Sequence, residues 1–265
     1  MPQYGQISPA QAFRLIGTPD APVIFDVRTE EDIAALPRLL PTARLIRHTE
    51  IVTLTDPPGR AIIACTKGHK LSEGAAALLR TMGWQAEGLE GGTLAWEAAG
   101  LPMLPLSLLS PPGTPWVTRH RPKIDRIACP WLIRRFIDPS ARFLFVAPTE
   151  VEAVADRFGA IPFDIPGVAF SHRGDQCSFD ALMDDFQLHT EPLDRMATVI
   201  RGADTDRHDL APQAAGLLAL SVGLSRMFRD DLQQLEAGIA LYDALYRWAR
   251  DGHDEGHDWP AGRPE

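Results

Sequence analysis

The clearest chemical feature of the sequence is a cysteine followed by a short, positively charged loop. Lys67, Gly68, His69 and Lys70 come directly after Cys65 and the single residue next to it. A cysteine attacks as its thiolate, and neighbouring basic groups favour that form at neutral pH. The spacing therefore predicts a nucleophilic thiol at Cys65, with these four residues completing a catalytic loop.

The secondary-structure elements on either side of this loop determine the position of the Cys65 thiol. Residues 61–64 form an apolar run that is typical of a buried strand, and Ser72 opens a pattern typical of a capped helix that ends near Gly83. The cysteine then lies at a strand end, where the chain turns into a helix N-terminus and backbone N–H groups stabilise anions. The alternative is a buried, unreactive cysteine at the strand end.

A second chemical feature is a basic segment, residues 116–138, inside an otherwise acidic chain. It carries six lysines and arginines against only Asp125 and Asp138. Clustered guanidinium groups bind tetrahedral dianions such as chromate or sulfate through paired hydrogen bonds. The predicted anion-binding residues are Arg119, Lys123, Arg126, Cys129, Arg134 and Arg135.

Two local structures compete for Cys129. A helix that starts at Arg126 would place Cys129 on an apolar stripe facing the core. A helix that starts at Pro130 would place Cys129 at its cap, beside the basic groups. We favour the second structure, because proline lacks a backbone N–H and prefers the first helical position.

Two polar loops in the second half of the chain could hold a metal ion. One contains His172, and the other contains Asp204, Asp206 and His208. Imidazole and carboxylate ligands suit zinc, iron or manganese, provided that the two loops meet in space. The alternative is that His208 is an ordinary solvated loop residue. We expect no organic cofactor.

Composition limits the class of protein. The chain has 265 residues, 45% hydrophobic residues and a net charge of −9, which fit two globular domains and disfavour nucleic acid as a partner. Three widely spaced cysteines favour free thiols in a reducing compartment. No signal pattern and no membrane-length apolar run is visible, so we expect a cytoplasmic protein without a membrane partner. A homodimer is compatible with these features.

The first 103 residues resemble the rhodanese sulfurtransferase family. The resemblance is carried, in order, by Phe25-Asp26-Val27-Arg28, the Cys65 loop, Gly91-Gly92, Trp96 and Gly100-Leu101-Pro102. It implies that Cys65 carries a persulfide, that Asp26 and Arg28 brace the structure, and that Gly91-Gly92 closes a turn. One departure is that the loop between Gly68 and Ser72 is one residue longer than the family commonly has.

Residues 116–250 are similar to the C-terminal domain of the chromate-resistance (ChrB-type) family. The longest matching motif runs from Trp116 to Pro139, and shorter ones include Pro162-Phe163-Asp164-Ile165 and Arg201-Gly202-Ala203-Asp204-Thr205. The resemblance implies a role in chromate or oxidative-stress resistance, and in some members a regulator that senses chromate. It does not assign a catalytic mechanism.

Together these features predict an α/β protein made of two domains. Residues 1–104 form a rhodanese-like parallel sheet with flanking helices, and residues 105–115 a proline-rich linker. Residues 116–250 form an α+β, mostly helical domain, and residues 251–265 an acidic, disordered tail.

The predicted function is thiosulfate-type sulfur transfer by Cys65, fused to a domain of the chromate response with a metal or oxyanion site. The partners would be a small oxyanion or sulfur donor and a sulfur acceptor that the sequence does not identify. The alternative is a chromate-sensing regulator whose rhodanese-like domain is a redox or binding module.

Overall fold

The structure is a computed structural model that describes residues 5–256. It divides into two compact units. The first contains residues 5–115 with Leu132–Arg142 and Met183–Leu188. The second contains Trp116–Trp131, Phe143–Leu182 and residues 189–256.

The first unit is built on a parallel sheet. Its strands are β1 (Gln6–Ile7), β2 (Val23–Asp26), β3 (Arg38–Leu39), β4 (Arg44–Leu45), β5 (Arg60–Ala64), β6 (Gln85–Leu89) and β7 (Leu104–Pro105). Five of them form one sheet in the order β1-β6-β5-β2-β4, with every pairing parallel, and β3 pairs with β7 antiparallel. The central strand β5 is buried from Ala61 to Ala64, as its apolar run predicts.

Four α-helices accompany this sheet. They are α1 (Pro9–Leu15), α2 (Glu30–Ala35), α3 (Lys70–Thr81) and α4 (Gly92–Ala98), with 3-10 turns at His48–Thr53 and Leu106–Leu108. Ser8 and Gln11 form a capping box on α1, and Thr29 caps α2. The prediction that Ser72 caps α3 is wrong, because the helix already starts at Lys70 and Ser72 lies in its first turn.

The second unit combines a small sheet with helices. Its strands are β8 (Pro115–Arg119), β9 (Arg142–Val146) and β10 (Ile161–Pro162), in the order β10-β8-β9. Its helices are α5 (Asp125–Leu132), α6 (Val151–Phe158), α7 (Ser178–Phe186), α8 (Glu191–Asp204), α9 (Ala214–Met227) and α10 (Asp231–Arg247). The last residues of α5 and α7 are assigned to the first unit. A 3-10 turn spans Pro148–Glu150 and a π-helical turn spans Trp248–Gly252, whereas the π-helical turn Ile133–Ile137 after α5 belongs to the first unit. The predicted fold class, a parallel α/β part followed by a mostly helical α+β part, is confirmed.

The predicted helix start at Pro130 is wrong. Helix α5 starts at Asp125, so Pro130 lies inside it and Cys129 is a fully buried core residue. Tertiary contacts hold this earlier start: the Tyr242 hydroxyl donates to the Ile124 carbonyl at 3.1 Å, and the Gln234 amide donates to the Pro122 carbonyl. The missing N–H of Pro130 is tolerated inside the helix, and the chain continues as the π-helical turn from Ile133.

The two predicted connecting segments contain some regular structure. Residues 105–115 include the 3-10 turn Leu106–Leu108 and the first residue of β8. The predicted tail begins inside the π-helical turn that ends at Gly252, and residues 257–265 lie outside the described part of the chain. Within residues 5–256, no helix combines the length and the apolar character that a membrane crossing requires.

Candidate functional sites

The first candidate site is the loop that follows β5. Cys65 comes directly after this strand and is 5% exposed, so its thiol faces inward rather than into bulk solvent. Its Sγ lies 3.2 Å from the Oγ of Ser72 in the first turn of α3. The Ser72 hydroxyl also lies 3.0 Å from the His69 carbonyl oxygen. The thiol therefore meets a hydroxyl group at the N-terminal end of a helix.

Two glycines allow the loop to pack against the turn that precedes α4. The Gly68 backbone has φ +70°, and a Cβ there would overlap the Leu89 carbonyl oxygen. Gly92 has φ +63°, and a Cβ there would overlap the carbonyl oxygen of Cys65. That same carbonyl accepts the Thr93 N–H at 2.9 Å. The close approach of two backbone segments requires glycine at both positions, and it fixes the chain on either side of the thiol.

The predicted bracing residues form a buried ion pair. Asp26 ends β2, and Arg28 contacts its carboxylate at 2.8 Å, with both side chains fully buried. The Arg28 guanidinium also donates to the carbonyls of Leu36 at 3.0 Å and Arg38 at 2.7 Å. Arg28 thus ties the carboxyl end of β2 to the segment after α2.

The remaining predicted catalytic residues, which follow Cys65 in the sequence, differ in their exposure to solvent. Lys67, His69 and Lys70 are exposed, whereas Gly68 is buried. A cleft of about 350 Å³ lies at the same carboxyl edge of the sheet, between Arg28 after β2 and Ile46 after β4. Ligands of open parallel sheets bind at this edge.

The second candidate site lies in the second unit, where four loop and helix ends converge. Nε2 of His172 lies 3.1 Å from Asp204 Oδ2, 3.7 Å from Asp125 Oδ2 and 3.7 Å from Asp164 Oδ1. Asp125 starts α5 and Asp204 ends α8. We call these four residues the acidic cluster.

Neighbouring donors hold the carboxylates of the acidic cluster in place. Arg119 donates to Asp164 Oδ2 at 2.9 Å, and Nε of Arg126 lies 3.3 Å from the same oxygen. The Ser178 hydroxyl donates to Asp164 Oδ1 at 2.9 Å, and the Ser178 backbone N–H donates to Asp125 Oδ2. Asp164 itself has φ +51°, a strained backbone conformation of the kind that collects at functional sites.

The cluster shifts the protonation of its own members. Burial and the nearby Asp204 and Asp164 carboxylates raise the pKa of Asp125 well above its ordinary value, while His172 and the weakly donating thiol of Cys177 oppose the shift. The pKa of His172 is raised to about 9, with Asp164 as the largest cause although Asp204 is the nearest carboxylate. Burial and Asp164 also raise the pKa of Asp204.

Asp164 behaves differently from the other two carboxylates. Burial acts to raise its pKa, but hydrogen bonds with His172, Arg119 and Ser178 outweigh burial and lower it. At neutral pH the cluster therefore contains an ionised Asp164 beside a protonated His172.

The structure brings together only part of the predicted metal site. His172 and Asp204 are in contact, whereas Asp206 and His208 pair with each other at 3.6 Å and the Asp206 side chain is 92% exposed. Asp125 and Asp164 complete the cluster instead. The signal that could have found Asp125 is its place as an isolated acid in a basic segment, and Asp164 stands in a motif shared with the ChrB-type family.

The predicted anion-binding residues lie in different surroundings within their own units. Arg119 and Arg126 contact Asp164, Lys123 is exposed, and Arg134 and Arg135 belong to the first unit. The placement of Cys129 beside them at a helix cap is wrong, because its thiol is buried in α5. Burial, followed by the Asp125 and Asp164 carboxylates, raises the pKa of Cys129 well above the ordinary thiol value.

Fold and sites together define the class of protein. The first unit is a rhodanese-like parallel α/β fold with a cysteine at the end of its central strand. Residues 116–249 match the family model described as ChrB, C-terminal domain. Because that match covers half of the sequence, the chain belongs to the ChrB chromate-resistance family.

Known proteins resemble the two halves separately. Protein ChrB from Cupriavidus metallidurans is 39% identical over 136 residues, which are 51% of this chain and 40% of the relative. Thiosulfate sulfurtransferase from Pseudomonas aeruginosa is 26% identical with a TM-score of 0.33, over 38% of this chain and 19% of that chain. A rhodanese homolog from Thermus thermophilus is 27% identical with a TM-score of 0.28, over 33% and 94% of the two chains. The aligned part thus spans well under half of the curated relative.

Proposed function

We propose that the first unit is a sulfurtransferase of the thiosulfate type, with Cys65 as the sulfur carrier. The observation that supports this most directly is the position of Cys65 Sγ at the end of β5, 3.2 Å from Ser72 Oγ at the start of α3. A nucleophile in this position gains from the helix dipole and from a hydroxyl that can donate to it.

The proposed reaction has two balanced steps. The Cys65 thiolate attacks the outer sulfur of thiosulfate, so that a Cys–S–S⁻ persulfide forms while the S–S bond of thiosulfate breaks and its electron pair leaves with sulfite. A nucleophilic acceptor, such as cyanide or a thiolate, then takes the outer sulfur. The electron pair of the persulfide bond returns to Cys65 and restores its thiolate.

Lys67 and Lys70 would act on the donor. Both side chains are exposed close to Cys65 in the sequence, and their positive charges attract an anionic sulfur donor. The Gly92 contact with the Cys65 carbonyl holds the loop, and the buried Asp26–Arg28 pair supports the neighbouring strand β2.

The test uses the full chain incubated with thiosulfate and analysed by intact mass and peptide mapping. We expect the mass of one extra sulfur atom on the peptide that contains Cys65, turnover with cyanide, and loss of both in Cys65→Ser. Lys70→Ala should slow the loading, whereas Lys123→Ala, a change at an exposed lysine of the second unit, should not. Turnover that survives in Cys65→Ser would overturn the assignment.

For the whole protein we propose a role in the response to chromate or oxidative stress in the cytoplasm. The match of residues 116–249 to the ChrB C-terminal domain supports this role. Complementation of a strain deleted for the gene, grown on chromate, tests it: wild type should restore growth, and equal growth with and without the gene would contradict the role.

The alternative, a chromate-sensing regulator, makes a different prediction. A regulator should bind DNA from its own promoter, with an affinity that falls steeply between low and moderate salt. The net charge of −9 disfavours this alternative.

A further inference from the structure

We propose that the acidic cluster, Asp125, Asp164, His172 and Asp204, binds a divalent first-row cation such as Mn²⁺, Fe²⁺ or Zn²⁺. Donor atoms of Asp125, Asp164 and His172 all lie within 4.8 Å of one another. Two donors that are each about 2.1 Å from one ion can be about 4.2 Å apart. The cluster is therefore close to the size of a coordination sphere, and Asp204 adds a fourth donor 3.1 Å from His172.

A second observation, the hydrogen bonding of the Asp125 carboxyl group, also favours a cation site over a purely structural ion-pair network. Asp125 is 1% exposed, and among the described residues its Oδ1 has no hydrogen-bond partner. Its other oxygen accepts from a backbone amide, that of Ser178. The Cys177 thiol near this carboxyl group is a weak donor, so the buried oxygen lacks a strong partner, and a bound cation is one of the ordinary ways in which proteins satisfy such an oxygen.

The positive charges near the cluster are distributed unevenly among its carboxylates. Three carboxylates meet there, and the contacting arginines, Arg119 and Arg126, both reach Asp164. Asp125 and Asp204 share His172, at 3.7 Å and 3.1 Å. A divalent cation between these two carboxylates would supply more positive charge there than the single proton of His172 does.

The donor types select the class of metal. Carboxylate oxygens suit hard cations, whereas an imidazole nitrogen favours first-row transition ions over Mg²⁺ and Ca²⁺. Ser178 and Arg119 hydrogen-bond the carboxylates from outside, as supporting residues do in metal sites. His172 is 42% exposed, which leaves a path for the ion and room for water ligands.

The experiment uses the full chain, treated with chelator and then titrated separately with Mn²⁺, Zn²⁺, Mg²⁺ and Ca²⁺. We expect one Mn²⁺ or Zn²⁺ ion per chain, by calorimetry and elemental analysis, and a higher melting temperature in the loaded protein. Asp125→Asn, His172→Gln and Asp204→Asn should each weaken binding at least about tenfold. Asp206→Asn and His208→Gln are matched controls, because these residues pair outside the cluster, and they should bind as wild type does.

The melting temperature of metal-free variants separates ligand residues from merely structural ones. Asp125→Asn and Asp204→Asn remove negative charge from a crowded site, so the metal-free variants should melt no lower than metal-free wild type. Only the gain on metal addition should disappear. Absence of stoichiometric binding by wild type, equal losses in the controls, or Mg²⁺ and Ca²⁺ binding as tightly as Mn²⁺ would each overturn the proposal. Sulfur loading of Cys65 should be unchanged in these variants, so this result stands apart from the sulfurtransferase test.

Discussion

The Oγ of Ser72 lies 3.2 Å from the Sγ of Cys65 and 3.0 Å from the His69 carbonyl oxygen. A hydroxyl group has one proton, so Ser72 can donate to only one of these acceptors at a time. When Ser72 donates to the carbonyl, the thiol can in turn donate to Ser72. Formation of the thiolate requires the hydroxyl proton to turn toward sulfur.

This relationship makes Ser72→Ala the first prediction. The variant loses a hydrogen bond to a charged group, which is worth about 1.5 kcal/mol or more, so sulfur loading at neutral pH should slow by about tenfold. Rates of thiosulfate loading and of iodoacetamide alkylation provide the measurement. Thr81→Ala is the matched control, because Thr81 lies on the same helix and bonds only a backbone carbonyl. Equal rates in wild type and Ser72→Ala would contradict the role of the hydroxyl.

The second prediction concerns two glycines near the Cys65 loop. Gly92→Ala places a Cβ against the Cys65 carbonyl at a positive φ, so the free energy of unfolding should fall by about 1–3 kcal/mol and sulfur loading should suffer. Gly74→Ala lies in α3 with no atom within 4 Å of the new Cβ, and it should stabilise by about 0.5–1 kcal/mol. Urea unfolding of the full chain measures both changes. Similar effects of the two substitutions would show that the close backbone approach has no special weight.

The third prediction tests the buried ion pair. Arg28→Met leaves Asp26 charged and unpaired in the core, so it should cost about 3–5 kcal/mol of stability. The double variant Asp26→Asn, Arg28→Met should be less unstable than Arg28→Met alone, because it removes the orphaned charge. Arg60→Ala breaks an exposed pair with Glu87 and should cost no more than about 1 kcal/mol. Urea midpoints of the variants check the ranking, which fails if the double variant is the least stable.

The first unit could be predicted closely from sequence because its signals are local. The apolar run of β5 and the helix pattern after it predict the strand–loop–helix order around Cys65, whereas the roles of Asp26, Arg28 and Gly91-Gly92 came from the resemblance to the rhodanese family. The contact of Ser72 with the Cys65 thiol was not predicted, because a serine at this position also suits a helix cap. In the structure α3 starts two residues earlier, so Ser72 lies in its first turn.

The acidic cluster shows where sequence reasoning stops. Asp125, Asp164 and Asp204 come from three distant segments, and only tertiary packing brings them to His172. Asp206 and His208 were predicted as ligands because they share a loop with Asp204, yet their side chains are exposed and pair with each other. The prediction that Cys129 caps a helix was wrong for a similar reason. Contacts of Tyr242 and Gln234 with the start of α5 override the preference of Pro130 for a first helical position.

The fourth prediction separates the three cysteines by reactivity. Cys129 and Cys177 are fully buried, and burial followed by the Asp125 carboxylate raises the pKa of each thiol well above its ordinary value. At neutral pH both should remain protonated and unreactive. Alkylation of the folded chain, followed by peptide mapping, should label Cys65 first, and denatured protein should label all three. Early labelling of Cys129 would contradict its place in the core.

The last prediction is the pH dependence of stability in the chelator-treated, metal-free protein. The pKa of His172 is about 9 in the folded state, against 6.5 for an ordinary histidine, because the carboxylates of Asp164, Asp125 and Asp204 surround it. A raised folded-state pKa means that the protonated form binds its neighbours more strongly in the folded protein. The stability from His172 is therefore fully present below about pH 6.5, declines between pH 6.5 and 9, and is lost above that range. The raised pKa of Asp125 has the same sign, since its deprotonation also favours unfolding as pH rises.

Urea unfolding at intervals from pH 6 to 9.5 measures this dependence. Metal-free wild type should lose stability steadily through the window, and His172→Gln should give a flatter curve because it has no proton to lose there. His189→Gln is the matched control: His189 also contacts a carboxylate, that of Asp194 at 2.9 Å, but lies outside the acidic cluster, so the slope should remain. A wild-type curve that is flat between pH 6.5 and 9 would contradict the charge of His172 in the cluster. A slope that persists in His172→Gln would place the titrating group elsewhere.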